Sequence, residues 1–511
     1  MALQGCIENQ LGGEDLPNKP VIRSIKFNAL MNTMLTASNM IVGVVTLPYI
    51  TRVLSVRGYG DVSFAQSVST WLSALCLVGI NVYGVRECAK VRDDQNKLSA
   101  LVKELLIIIT ATSLAVLTVF ALSIQIVPQF KAIAQLMWMF LFGTLILSYG
   151  VEWFYQAIEQ YAYITKRSII FKLLSLVLTL LLVRKPQDYL IYGGILAFVM
   201  CGNNLINLFM LRKYVDFKVK RKLNLRRHFR PLISFGLQSI SSAVYLSFDS
   251  TLLGFITSSN YQVGLYQLAT KLKGVMFQVL NAVLGVFIPR LSCYLGQGDM
   301  PLFLSLVRRA SGLTINICIS IFFYLYAFAP GLVLLISGPS FDGAVLPVRI
   351  IGLVNLCSCY SYFIGLCVLT PLGRERQLAL ANFAGVPVSV LLNFLLDARF
   401  GAVGASLSIL LAEALILSLQ LYWARDVVSK VAPIIDVLRI CLSNIMAASI
   451  AYLISSMVLP VQSSLFAIVG LILFVPADLF ITYVFGDPTA RMIFDGVTSR
   501  FHKDGDRLKF Q

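Results

Sequence analysis

Runs of about twenty apolar residues recur from one end of this 511-residue chain to the other, and only short polar segments separate them. Twenty residues of α-helix are about 30 Å long, the thickness of a bilayer's hydrocarbon core. In that core each backbone N–H and C=O must be bonded within its own segment, so a chain patterned this way folds as membrane-crossing helices. Composition agrees: 58% of residues are hydrophobic and 13% charged, where a soluble domain carries about a quarter charged. No polar stretch is long enough for a soluble domain of its own.

The runs divide into about fourteen helices, with limits near 27–51, 61–85, 101–124, 132–157, 162–183, 188–211, 231–256, 261–288, 304–328, 344–370, 377–396, 401–423, 434–457 and 463–485. The seventh carries Gln238, Ser239, Ser241, Ser242, Ser247, Asp249 and Ser250. So many polar groups require it to face protein or water.

Positive charge orients the chain. Roughly 33 of the 42 Lys and Arg fall in segments on the side of the N-terminus, and roughly 6 on the other. That asymmetry predicts an even number of spans, both termini cytosolic, and the Ser258–Tyr261 turn outside. The net charge of +17 is thus topology, and its scatter over many loops argues against nucleic acid. The predicted organisation is a cytosolic tail at 1–22, a first lobe at 23–212, a basic cytosolic linker at 213–230, a second lobe at 231–425, a final helix pair at 426–486 and a cytosolic tail at 487–511. Arg212 to Arg230, with Lys220, Arg221, Lys222, Arg226 and Arg227, is expected to lie on anionic headgroups. The lobes repeat faintly: GYGDVSFAQS at 58–67 aligns with YQVGLYQLATK at 261–271, pairing Gly60 with Gly264 and Ser67 with Lys271.

Catalytic groups are scarce. The two histidines, His228 and His502, lie in basic segments, and Cys357 and Cys359 have no metal-ligand spacing. A Ser-His-Asp triad, a metal site or a cofactor is not expected. Charges inside spans are therefore the functional candidates. Asp249 and Lys271 flank the Ser258–Tyr261 turn at equal depth, about 15 Å by helical rise. They form either an ion pair locking two helices or part of a cavity, with Lys273 as a second, unpaired cation. Arg52, one turn after Pro48, and Arg349, after Pro347, complete the substrate-binding candidates. Glu152, Asp249 and Glu413 are the candidates for proton coupling, and Glu159 is a further acid.

Several segments resemble one family in order and spacing. TLPYITRVLSVRGYGDVSFAQSVSTW at 46–71, GINVYGVRECAK at 79–90 and VEWFYQAIEQYAYITKRSIIFKLLSL at 151–176 look like bacterial polysaccharide (O-antigen, Wzx-like) flippases. IPRLS at 288–292 and FGAVGASLSILLAEALI at 400–416 continue the likeness. The resemblance implies a place in the multidrug/oligosaccharidyl-lipid/polysaccharide exporter superfamily. It implies an all-α, MATE-like fold of two pseudo-symmetric six-helix lobes plus two C-terminal helices, in the bacterial inner membrane. Helices one, two, seven and eight would line a cationic cavity for alternating access. The implied partner is a polyprenyl-pyrophosphate-linked oligosaccharide, with glycosyltransferases and a polymerase of the same pathway nearby, and the protein is expected to be a monomer. A multidrug/cation antiporter of that superfamily is the rival, and a membrane polysaccharide polymerase a weaker one.

Overall fold

The computed structural model describes residues 25–219, 223–431 and 434–486; the predicted tails at 1–22 and 487–511 lie outside these, as do Lys220, Arg221 and Lys222 of the linker. The described residues form helices and no strand. In chain order they are α1 (Ile25–Val53), α2 (Val56–Leu77), α3 (Ile80–Val91), α4 (Gln95–Ile126), α5 (Pro128–Ala132), α6 (Ala134–Ser148), α7 (Glu152–Ala157), α8 (Tyr161–Leu182) and α9 (Tyr189–Leu211). A second series follows: α10 (Arg226–Thr257), α11 (Asn260–Gly296), α12 (Met300–Ser337), α13 (Val345–Phe363), α14 (Glu375–Phe400), α15 (Ala402–Trp423) and the short α16 (Arg425–Val431). The chain closes with α17 (Ile434–Val458) and α18 (Ser464–Val484).

Polar caps set many of the boundaries. Ser55 Oγ accepts from Gly58 N at 3.0 Å, Asp94 from Lys97 N at 3.0 Å and Asp299 from Leu302 N at 3.1 Å. Each satisfies one of the donors that a helix start leaves free.

Among the described residues, eleven helices are long and apolar enough to cross a membrane, or thirteen if each of two bent pairs is one span. Fourteen were expected. The shortfall lies at α8, which fills the fifth predicted span but carries Lys166, Arg167 and Lys172. Three predicted spans are interrupted or bent, the seventh by 56° between Tyr245 and Ser247 within α10. The second bends by 40° between α2 and α3, where Val78 and Gly79 are both left-handed. The fourth breaks between α6 and α7 at Val151, with φ 42°. The basic linker is also shorter than predicted, because α10 already begins at Arg226.

Helix α2 is the hub. It packs along α10 and α11 of the second series and also against α4 and α6 of its own. At the end marked by Ser259, a β-carbon at Gly60 would overlap the Asn260 carbonyl, and one at Gly264 would overlap that of Val56. Those four residues form two pairs, Gly60 with Gly264 and Val56 with Asn260, each separated by the same 204 positions. Contacts exchanged in this way between equivalent residues mark a pseudo-two-fold axis, as the faint repeat predicts.

Candidate functional site: a one-sided cleft and two buried charge groups

The pseudo-symmetry makes α10 the counterpart of α1 and α11 that of α2. The α2–α10 seam is closed along its length: Phe64 meets Phe255, Ser67 Oγ lies 2.9 Å from Thr251 Oγ1, and Trp71 meets Phe248. At its far end a β-carbon at Gly79 would overlap the Phe235–Gly236 backbone. Its counterpart, α1 against α11, is open. The two helices barely meet, and α1 is instead held at the Ser259 end by Thr51 and Arg52, which donate to the carbonyls of Ile336 and Leu335 on α12.

Both helices carry small and polar residues at helical spacing, on α1 among exposed Leu30, Met34, Ile41, Val44 and Val45. Asn32, Thr36, Asn39 and Gly43 form an exposed stripe on α1, and Lys271, Gly274, Gln278, Ala282 and Gly285 another on α11. A β-carbon at Gly43, Gly274 or Gly285 would meet nothing. Small and polar residues on an exposed face inside a span mark water or ligand rather than lipid. Lys271 has no hydrogen-bond or ion-pair partner among the described residues.

This geometry corrects the predicted pairing of Asp249 with Lys271. Asp249 is buried in the second series, where its Oδ1 accepts from Ser389 Oγ at 2.9 Å and Asn393 Nδ2 at 2.7 Å. Lys273, predicted to be unpaired, donates to Glu413 Oε1 at 3.1 Å, and Tyr245 donates to the same oxygen. The Lys273 side chain is 16% exposed and that of Glu413 2%. Residues 271 and 273 lie about 200° apart around a helix, so they cannot face one space. Equal depth left this direction undetermined.

Asp249, Lys273 and Glu413 thus come together within α10, α11 and α15. Asp397 on α14 joins them, missed from the sequence although it sits one turn beyond Asn393. It is fully buried, close enough to Asp249 for repulsion, and neither carboxylate oxygen has a hydrogen-bond partner among the described residues. The other candidates lie elsewhere. Arg52 caps α12; Arg349 donates to the Tyr326 carbonyl at 3.0 Å and stacks over that ring. Glu152 accepts from Arg167 at 3.0 Å, and Glu159 pairs with Arg92.

His228, read from the sequence as a loop residue, is buried where α10 meets α3 and α4. Its Nδ1 lies 2.7 Å from Tyr83 Oη and its Nε2 2.8 Å from Glu104 Oε2. Glu104 also accepts from Asn224 N at 2.6 Å and from Arg227.

Two packed helix series around a one-sided polar cleft are the architecture of a multi-pass membrane transporter. The family model described as polysaccharide biosynthesis protein matches residues 25–295, and the chain belongs to that family. A protein of Escherichia coli (strain K12) named as an O-antigen transporter is 26% identical over 427 residues, covering 79% of this chain and 97% of its own. Its namesake in Shigella dysenteriae is 25% identical over 402 residues, covering 78% and 99%. Among solved structures, lipid II flippase MurJ in an inward closed conformation superposes with a TM-score of 0.67 at 12% identity, covering 89% of this chain and 98% of that one. An inward-facing multidrug resistance MATE family transporter gives 0.59 at 12% identity, covering 80% and 99%. The fold is therefore MurJ- and MATE-like, as the resemblance implied.

Proposed function

We propose that this chain is a flippase that carries a polyprenyl-pyrophosphate-linked oligosaccharide from the cytosolic to the outer leaflet of the bacterial inner membrane, by alternating access. The observation that carries this reading is the cleft: small and polar residues along both helices, an opening between α1 and α11, and Lys271, a cation unpaired among the described residues, in a chain of the polysaccharide biosynthesis family. A diphosphate and its sugars cross the apolar core only if each polar group finds a partner there. The α1 and α11 stripes supply them, while an opening between two helices leaves the polyprenyl chain in lipid. With both termini cytosolic, as the Lys/Arg asymmetry supports, the Ser259 end faces outside and the cleft opens inward. Moving an anion outward then gains about 2.3 kcal/mol per charge per 100 mV.

The acids of the second series supply the coupling in this reading. Asp249 and Glu413 share one cation, Lys273, Asp397 lies beside Asp249, and a buried carboxylate without partners, as Asp397 is among the described residues, is stable only when neutralised. Protons taken up outside and released inside would reset the cleft. The geometry is less favourable to a cation antiporter, because that buried group is separate from the cleft and the cleft's own ionisable residue is a cation. Arg52 ties α1 to α12 and Arg349 is engaged by Tyr326 within the second series, so this reading gives neither a role on substrate.

Expression in a strain lacking its own O-antigen flippase, beside the cognate glycosyltransferases and polymerase, tests the reading. Restored surface polysaccharide is expected. Lipid-linked repeat units that still accumulate on the cytosolic leaflet, with the protein present at normal abundance, would contradict it.

A further inference from the structure

The closing helix pair holds a polar group that neither the cleft nor the acids of the second series use. Asp478 is the one Asp, Glu, Lys or Arg on α18, and it is 5% exposed. It sits about one and a half turns before the last residue of α18, inside the apolar span. Helix α18 packs against α12 and α17, and both offer hydroxyls. Ser320 Oγ on α12 lies 2.7 Å from Asp478 Oδ2, and Thr482 Oγ1, one turn further along α18, lies 3.2 Å from Oδ1. Ser443 Oγ on α17 lies 3.1 Å from Thr482 Oγ1, and both residues are buried.

No Lys, Arg or His contacts Asp478 among the described residues. Arg439, one turn from Ser443 on α17, is turned to Asp436 at 3.9 Å, and Asp436 also lies 3.7 Å from Arg308 of α12. Tyr324, one turn from Ser320 on α12, gives its hydroxyl to the Ala467 carbonyl at 2.9 Å.

Hydrogens are short in this group. Ser320 Oγ is also 2.9 Å from the Asn316 carbonyl, a common partner for a serine inside a helix, and Ser443 Oγ is 2.9 Å from the Ile440 carbonyl. Five contacts thus link these oxygens, while three hydroxyls supply three hydrogens. An ionised Asp478 adds no hydrogen and leaves an unmatched charge inside the span, which is costly. A protonated Asp478 supplies a fourth hydrogen. It donates to Ser320 Oγ, and Ser320 then donates to the Asn316 carbonyl. The 2.7 Å spacing is ordinary for such an O–H···O bond. We propose that Asp478 is a proton-binding carboxyl, and that its proton fastens the closing helix pair to α12. Helix α12 also holds α1, through the carbonyls of Leu335 and Ile336. Losing the proton would therefore loosen a helix on which one side of the cleft depends. Neither the flippase reading nor the coupling acids bear on this site.

Infrared spectroscopy of the full-length protein in nanodiscs at neutral pH tests the proposal. The carbonyl band of a protonated carboxyl is expected in the wild type and is lost in Asp478→Asn. Ser320→Ala, which takes away the acceptor, should move that band to higher frequency. Melting curves give a second measure. Asp478→Asn carries an N–H where the acid has its proton, so it should melt no lower than the wild type, whereas Asp478→Ala should melt about 2 °C lower. The folded wild type binds one proton more than the unfolded chain, so its stability falls as pH rises, and its melting temperature should drop relative to that of Asp478→Asn. An ionised carboxylate predicts no such band from this residue, and Asp478→Asn as damaging as Asp478→Ala. Either result would overturn the proposal. So would sodium chloride that raises the melting temperature over choline chloride in the wild type but not in Asp478→Asn, because a metal ion would then replace the proton. Should Asp478→Asn fail to accumulate, Ser320→Ala decides alone, and an unmoved band overturns the proposal.

Discussion

Lys271 and Lys273 show how much two adjacent choices on one helix decide. One has no partner among the described residues, and the other is paired with Glu413, which also accepts from Tyr245. Removing one partner of a buried pair leaves an uncompensated charge, at a cost of about 3–5 kcal/mol, whereas replacing both with apolar groups is close to neutral. Lys273→Met is therefore expected to lower thermal stability and membrane abundance, and Lys273→Met with Glu413→Leu to recover both. Equal stability of the single and double variants would show that the pair contributes nothing. A second pair lies at the junction of α14 and α16, outside the spans, where Arg374 donates to both Asp426 oxygens at 2.7 and 2.8 Å. Those hydrogen bonds hold the Asp426 carboxyl below its usual range. A depressed carboxylate stabilises the fold above the unfolded pKa of about 3.9, and that contribution is lost as pH falls through the folded value. Asp426 is 51% exposed and Arg374 30%, so solvent screening keeps the effect under about 1 kcal/mol. Melting curves of wild type and Asp426→Asn should differ at pH 7 and converge in acid; a constant difference would dissociate the pair from the pH effect. The positions of these charges are legible in the sequence, but their direction around each helix is not. Hydropathy records depth, and azimuth depends on neighbours that only the fold supplies.

At the scale of elements, the helix starts and the order of spans follow from apolar runs and caps, and both are plain in the sequence. The breaks are less so. Val78 and Val151 carry no glycine or proline signal of their own, and Gly79 and Gly150 beside them are the only hint. The stripe Asn32, Thr36, Asn39 and Gly43 was readable at helical spacing, yet it sits in a first span whose overall apolarity hides it. The closed end of the interface depends on the absence of side chains at Gly60 and Gly264. Gly60→Val has nowhere to place its β-carbon except against the Asn260 backbone, so α2 and α11 must separate there. A cysteine introduced at Asn260 should then react faster with an impermeant thiol reagent applied from outside. An unchanged labelling rate would mean that the glycine contact does not keep this end shut.

Among the described residues, two helix series that exchange equivalent contacts at Gly60 and Gly264 are followed by α17 and α18, with one interface seam closed and its equivalent open. That asymmetry is what a transporter needs, because exchanging which regions are open requires no new fold, only a rocking of one series on the other. The repeat is visible in two aligned segments, but the asymmetry is not, since one sequence encodes both states. If the cleft carries an anionic headgroup, Lys271 is the residue it meets first. At an effective dielectric of about 20, a cation 4 Å from one negative charge gains about 4 kcal/mol before desolvation. The most direct measurement is complementation of a flippase-null strain by Lys271→Gln, scored beside membrane abundance. The account predicts normal abundance, because no partner is orphaned, with polysaccharide export reduced at least about tenfold. Full export by a normally abundant Lys271→Gln protein would contradict it.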